Sequence, residues 1–149
     1  MTNTQTMKGS CLCGQITYKA KATPLFQAHC HCQACRKNGG SGYAALVFIP
    51  IESLTWQGET STYSHDSDSD SGTKMTKHFC GNCGSQLFGT NSAKPERIHI
   101  KVGTMEDASW FQPQCNVWAS SRLPSTAVDK AIKDFATMPS APPKAHQEG

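Results

Sequence analysis

At 149 residues the chain has the length of one domain, and its hydrophobic content of 37% and charged content of 17% are both low, so Gly, Ser, Thr, Asn, Gln and Pro fill the difference. A formal net charge of +3 with a pI near 8.4 comes without a Lys/Arg run or a regular basic stripe, so no nucleic acid partner is expected. The longest apolar run, "YAALVFI" at 43–49, is far too short to cross a bilayer, and the polar start "MTNTQTMKGS" lacks a signal-peptide core, so a cytoplasmic protein without a membrane partner is expected.

Taken in chain order, residues 1–8 read as a loose leader, residues 9–135 as the domain, and the Pro-rich, polar end at 136–149 as a disordered tail. Gln15 to Ala20 alternates around Ile16 and Tyr18, which predicts a half-buried strand. Tyr43 to Ile49, closed by Pro50, predicts a strand buried on both faces, and "LTWQGETSTYS" predicts two strands around Gly58. The stretch "SHDSDSDSG", 64–72, has no apolar residue. Its Asp66, Asp68, Asp70 and Gly72 spacing resembles an EF-hand only faintly, without the closing Glu or flanking helices, so it reads as an exposed acidic loop. "ERIHIKV" sets Ile98, Ile100 and Val102 against Arg97, His99 and Lys101, another half-buried strand. Helix signals appear only near the end, where Thr126 and Asp129 form a capping box and Val128, Ile132 and Phe135 share a face. The sum is a mainly β fold of short strands.

Chemistry is concentrated in the cysteines. Seven of the eight fall in three sets: Cys11 and Cys13 in "GSCLCGQITY", Cys30, Cys32 and Cys35 in "HCHCQACR", and Cys80 and Cys83 in "FCGNCGSQLF". In a reducing compartment such clustering points to metal rather than to disulfides. A structural zinc takes four ligands and a catalytic one usually three plus water or substrate, and seven is four plus three. The glycine-flanked "FCGNCG" has the form of a zinc knuckle needing two more thiolates. Either Cys11 and Cys13 complete it, or two of Cys30, Cys32 and Cys35 do; the first division uses all seven thiols and separates a closed site from an open one. On a straight strand Cys11 and Cys13 would face opposite ways, so this pairing requires a bend, which Gly9 and Gly14 permit.

The three motifs in this order, covering roughly residues 8–90, resemble the glutathione-dependent formaldehyde-activating enzyme family, which includes the centromere protein V domain. The resemblance implies a β-tent of short antiparallel sheets stapled by zinc. It assigns Cys11, Cys13, Cys80 and Cys83 to a structural zinc and Cys30, Cys32 and Cys35 to a catalytic zinc, two Zn2+ per chain. It also implies carbon-sulfur lyase activity on glutathione or related small thiol adducts, of the kind that joins formaldehyde and glutathione into S-hydroxymethylglutathione. In "PQCNVWASSRLPS" the chain departs from the family pattern: Asn116 stands where His is common and Ser125 where Trp is common.

Several residues admit two readings. His29 and His31 sit beside ligand positions, where an imidazole could close the three-cysteine site or serve in proton transfer; His31 is carried as a supporting catalytic residue. Arg36 is a second supporting residue, able to offset the charge of a trithiolate site or to grip a substrate carboxylate, although surface arginines are common. "NGGSG" at 38–42 offers a side-chain-poor loop beside the site. Cys115 lies outside the sets, and the aromatics Trp56, Phe79, Phe88, Trp110 and Trp118 read as core or pocket wall. The rival functions are a non-catalytic zinc-stabilised binding module and a thiol or metal sensor.

Overall fold

The computed structural model describes residues 3–67 and 72–139. Its regular structure is mainly eleven strands: β1 Gln5–Ser10, β2 Thr17–Ala22, β3 Phe26–Cys30, β4 Ala44–Pro50, β5 Leu54–Gln57, β6 Ser61–Asp66, β7 Lys74–Phe79, β8 Gln86–Asn91, β9 Arg97–Lys101, β10 Cys115–Val117 and β11 Lys133–Asp134. They form a three-stranded sheet, β1-β2-β5, and an eight-stranded sheet, β11-β10-β3-β4-β9-β8-β7-β6. Pairing is antiparallel except at β10, which runs parallel to β3 and β11. The mainly β expectation holds, and β4, β5, β6 and β9 appear where the periodicity places them.

Side-chain alternation divides the large sheet into two chemically different faces. Val47, Ile49, Phe88, Ile98 and Ile100 point to one side and join Met7, Tyr18 and Leu54 from the small sheet, with Ile16 just before β2, in the main core. Phe26, Ala28, Cys30, Leu46, Phe48, Cys115 and Val117 point to the other side and form a second cluster. The apolar run at β4 is therefore buried on both faces, as its lack of alternation predicts. Its neighbour β9 sends Ile98 and Ile100 into the main core and Arg97, His99 and Lys101 to the second face.

Three expectations are corrected. The leader is a strand from Gln5 onward, because Met7 is fully buried in the main core. The stretch 126–135 is no helix. Phe135 donates its N–H to the Asn116 carbonyl at 2.9 Å and Lys133–Asp134 pair with β10, so this segment is held extended by the sheet. The helix that does form, α1 Gln33–Gly39, lies within the cysteine motif, capped at its start by the Cys32 sulfur and ended by Gly40 at φ 75°. Residues 140–149 of the expected tail, with Asp68 and Asp70 of the acidic loop, lie outside the described residues.

A close approach ties the two sheets together. Gly9 of β1 bridges Met105, and a Cβ there would fall 2.3 Å from the Thr104 carbonyl oxygen and 2.4 Å from the Tyr18 hydroxyl, so only glycine fits.

Candidate functional site

Two turns of similar build carry the first four cysteines. After β1, Cys11 donates its N–H to the Ile16 carbonyl at 3.0 Å, with Gly14 at φ 80°; after β7, Cys80 donates to the Ser85 carbonyl at 2.9 Å, with Gly84 also at φ 80°. The bend required for Cys11 and Cys13 to face one point is present. Backbone N–H groups of Ile16 and Cys83 point at the sulfurs of Cys11 and Cys80 at 3.3 and 3.5 Å, and the Ser85 hydroxyl lies 3.3 Å from Cys83 Sγ. Hydrogen bonding to Ser85, its side chain foremost, draws the Cys83 thiol down to about 5, favouring the thiolate.

The donor set fits a tetrahedral ion. Four thiolates at about 2.3 Å from one centre stand about 3.8 Å apart. Cys11 Sγ lies 3.6 Å from Cys13 Sγ, which lies 3.7 Å from Cys80 Sγ, and all four sulfurs fall within 4.8 Å of one another.

Cys30, Cys32 and Cys35 gather separately, their sulfurs also within 4.8 Å of one another. Cys30 ends β3, Cys32 caps α1, and Cys35 lies in its first turn, donating its N–H to Cys32 Sγ at 3.3 Å. Hydrogen bonds from the Cys30 and Cys35 thiols, then from backbone N–H groups, hold the Cys32 thiol well below its ordinary range. Among the described residues these are the two groups of three or more metal-ligating side chains, and neither includes a histidine. The division by four and three is the one the structure presents.

The two histidines beside the trio point elsewhere. His29 packs against Tyr43 with the rings tilted by 36° and their centroids 4.5 Å apart, and lies near Phe111. His31 is fully buried and its Nε2 lies 2.9 Å from Asn116 Oδ1; Asn116 in turn donates to Asp134 Oδ1 at 2.9 Å, and Asp134 pairs with Arg122 at 3.0 Å. Asn116 is thus the buried hydrogen-bond partner of His31, the residue midway between Cys30 and Cys32. Asn116→Ala should leave His31 Nε2 buried without a partner and lower stability by about 1–3 kcal/mol, read as a reduced urea midpoint. Arg36 lies in the last turn of α1, outside the cavity wall, with its Nε buried.

The trio opens into a cavity of about 280 Å³ on the second face of the large sheet. The row Arg97, His99 and Lys101 on β9 lines it together with Lys77 and Lys94, and among the described residues no carboxylate lines it. Arg97 lies over the Phe48 ring at 4.7 Å. The Cys30 hydrogen bond and the Lys101 ammonium pull the Cys35 thiol down, but the hydrogen bond with Cys32 and burial outweigh them and hold it up at about 11. His99 rests over Gly89, where a Cβ would fall 2.2 Å from the ring. Burial foremost, then Lys101 and Arg97, pulls its imidazole down to about 3 against the opposing pull of Cys32, so it is neutral at physiological pH. A wider groove of about 580 Å³ lies beyond Asn38 and Lys101 but holds none of the cysteines. Sequence alternation predicts β9 as a half-buried strand without marking this row as a site; the signal is that Arg97, His99 and Lys101, at every second position, share one face.

Residues 6–121 match the family model described as glutathione-dependent formaldehyde-activating enzyme. A protein of Halomonas elongata named "Putative glutathione-dependent formaldehyde-activating enzyme" is 31% identical over 96 residues, covering 62% of this chain and 61% of that protein. The match thus spans about three fifths of that relative's length. The crystal structure of a Rhodobacter sphaeroides protein shares the fold, with a TM-score of 0.55 and 21% identity, over 68% of this chain and 90% of that one.

Proposed function

The chain belongs to the glutathione-dependent formaldehyde-activating enzyme family, and from that premise we propose a zinc-dependent carbon-sulfur lyase acting on adducts of glutathione or a related acidic thiol. One observation carries the reading: the three-cysteine group opens into a cavity whose charged lining, among the described residues, is wholly cationic. Cys11, Cys13, Cys80 and Cys83 would hold a structural zinc, and Cys30, Cys32 and Cys35 a second, leaving one position for a substrate sulfur. Zinc there would supply a positive centre that favours the thiolate form of that sulfur.

The chain's own residues bind and orient. Arg97 and Lys101 receive substrate carboxylates, and the β9 strand stands two strand spacings, about 10 Å, from β3, which is about the extended reach of a tripeptide. Neutral His99 has one N–H donor and one ring nitrogen acceptor for a hydroxyl in the cavity. His31, through Asn116, positions the Cys30–Cys32 segment, while Arg36 adds positive charge behind α1. In the adding direction, sulfur attacks the aldehyde carbon, one C–S bond forms, the C=O π pair moves to oxygen, and the thiol proton ends on that oxygen. The reverse sequence breaks the bond, and neither direction needs an oxidant or reductant. Free thiols of this number suit the reducing cytoplasm.

Free-thiol loss in mixtures of glutathione and formaldehyde tests the reading. Zinc-loaded protein should accelerate it beyond the uncatalysed rate, and Cys32→Ser should reduce that acceleration by about 10²-fold or more. Wild-type protein without acceleration, both with formaldehyde and with benzaldehyde in its place, would contradict the lyase and leave a binding module.

A further inference from the structure

We infer that Trp118, with Met138 beside it, is the subsite for the carbon group carried on the substrate sulfur, and that this group is apolar and larger than one carbon. The inference rests on the proposed thiol-adduct reading and specifies which adduct.

The order of strands separates three regions of the cavity. Cys30 ends β3; across β4 lies the cationic row of β9, while β10 and the residues after it lie on the opposite side of β3. An adduct sulfur bears two carbon substituents. If the acidic chain of the thiol lies along β9, the group from the other reactant extends toward β10.

What waits there is an apolar wall rather than a polar one. Trp118 follows β10 directly, packs against the cluster that contains Cys30 with Cys32 and Cys35 beside it, and lines the cavity with Leu46, Phe48 and Met138. An indole face offers an aromatic or alkyl group a large surface, of which a hydroxymethyl group would cover little.

The backbone supplies an independent observation. Trp118 is the non-glycine residue with positive φ among the described residues, at φ 56° and ψ 38°. Such a conformation is unfavourable for a bulky side chain and persists where surrounding bonds impose it, commonly at ligand clamps. Here the Trp118 N–H donates to Thr137 O at 3.2 Å and the Ala119 N–H to Phe135 O at 2.9 Å, so the same strap that holds Trp118 brings Met138 to the cavity. The substrate class assigned is therefore the adduct of an acidic thiol with an alkyl or aromatic aldehyde.

Calorimetric titration of the zinc-loaded full chain with glutathione, S-methylglutathione and S-benzylglutathione tests this. S-benzylglutathione should bind about tenfold or more tighter than S-methylglutathione. Trp118→Ala should shrink that gap below about threefold while S-methyl binding changes little, and Trp118→Phe, which keeps an aromatic wall, should retain most of it. Equal wild-type affinities for the two thioethers, or a gap that survives in Trp118→Ala, would overturn the inference. Glutathione binding alongside equal thioether affinities would overturn this subsite alone, whereas no binding of any of the three would remove the thiol reading with it.

Discussion

Cys80→Ser is expected to abolish cooperative unfolding, whereas Cys32→Ser leaves the fold intact. Cys80 and Cys11 are 1% and 2% exposed and belong to the main core. Their turns follow β7 of the large sheet and β1 of the small one, so the four-sulfur site joins the two sheets. A structural zinc in a small domain contributes roughly 10–16 kcal/mol of apparent binding free energy, comparable to or above the roughly 5–15 kcal/mol net stability of a typical domain. Losing one of its ligands should therefore exceed what the core can compensate. Cys32 is different: it is only half-buried, its set lies on one face of one sheet, and a serine there can still cap α1. Thermal melts followed by circular dichroism should show no cooperative transition for Cys80→Ser and, for Cys32→Ser, a Tm within about 5 °C of wild type. A stable, cooperatively folding Cys80→Ser protein would contradict the role given to the four-cysteine site.

The second large effect concerns the cationic row. Arg97→Met combined with Lys101→Met should weaken glutathione binding by about 10²-fold or more, since a hydrogen bond to a charged group contributes about 1.5–3 kcal/mol and two are removed. Methionine keeps apolar contact with Phe48 where Arg97 now lies over that ring. No ion pair of Arg97 or Lys101 occurs among the described residues, so folding should be little affected. Titrations at low and high salt should show wild-type affinity falling with ionic strength and the double variant responding less. Unchanged affinity in the double variant would show that substrate acids bind elsewhere.

Much of the site was legible from spacing, because ligand sets obey a count. Seven thiols divide into four and three under the coordination habits of zinc, and the glycines at 14 and 84 mark the two turns that aim the sulfurs. Strands with clean periodicity, such as β4 and β9, were likewise legible. What escaped is what tertiary contact decides. α1 is seven residues long and capped by a cysteine sulfur, outside the usual set of capping side chains, so its start looked like part of the metal motif. The capping box at Thr126 lost to the sheet, because β10 recruits Lys133–Asp134 and Asn116 takes the Asp134 carboxylate. His31 and Asn116 are 85 positions apart, and no local pattern pairs them. Trp118 looked like any core aromatic, since neither its positive φ nor its place beside the cysteine trio leaves a mark on neighbouring residue types.

The central claim is that the chain carries one closed and one open metal site. Metal content per chain for wild type and Cys32→Ser, with glutathione titrated into the cobalt-substituted forms, tests it most directly. The account predicts about two ions per wild-type chain and about one in Cys32→Ser, with glutathione shifting the cobalt spectrum of wild type alone. One ion per wild-type chain, or unchanged content in Cys32→Ser, would contradict it.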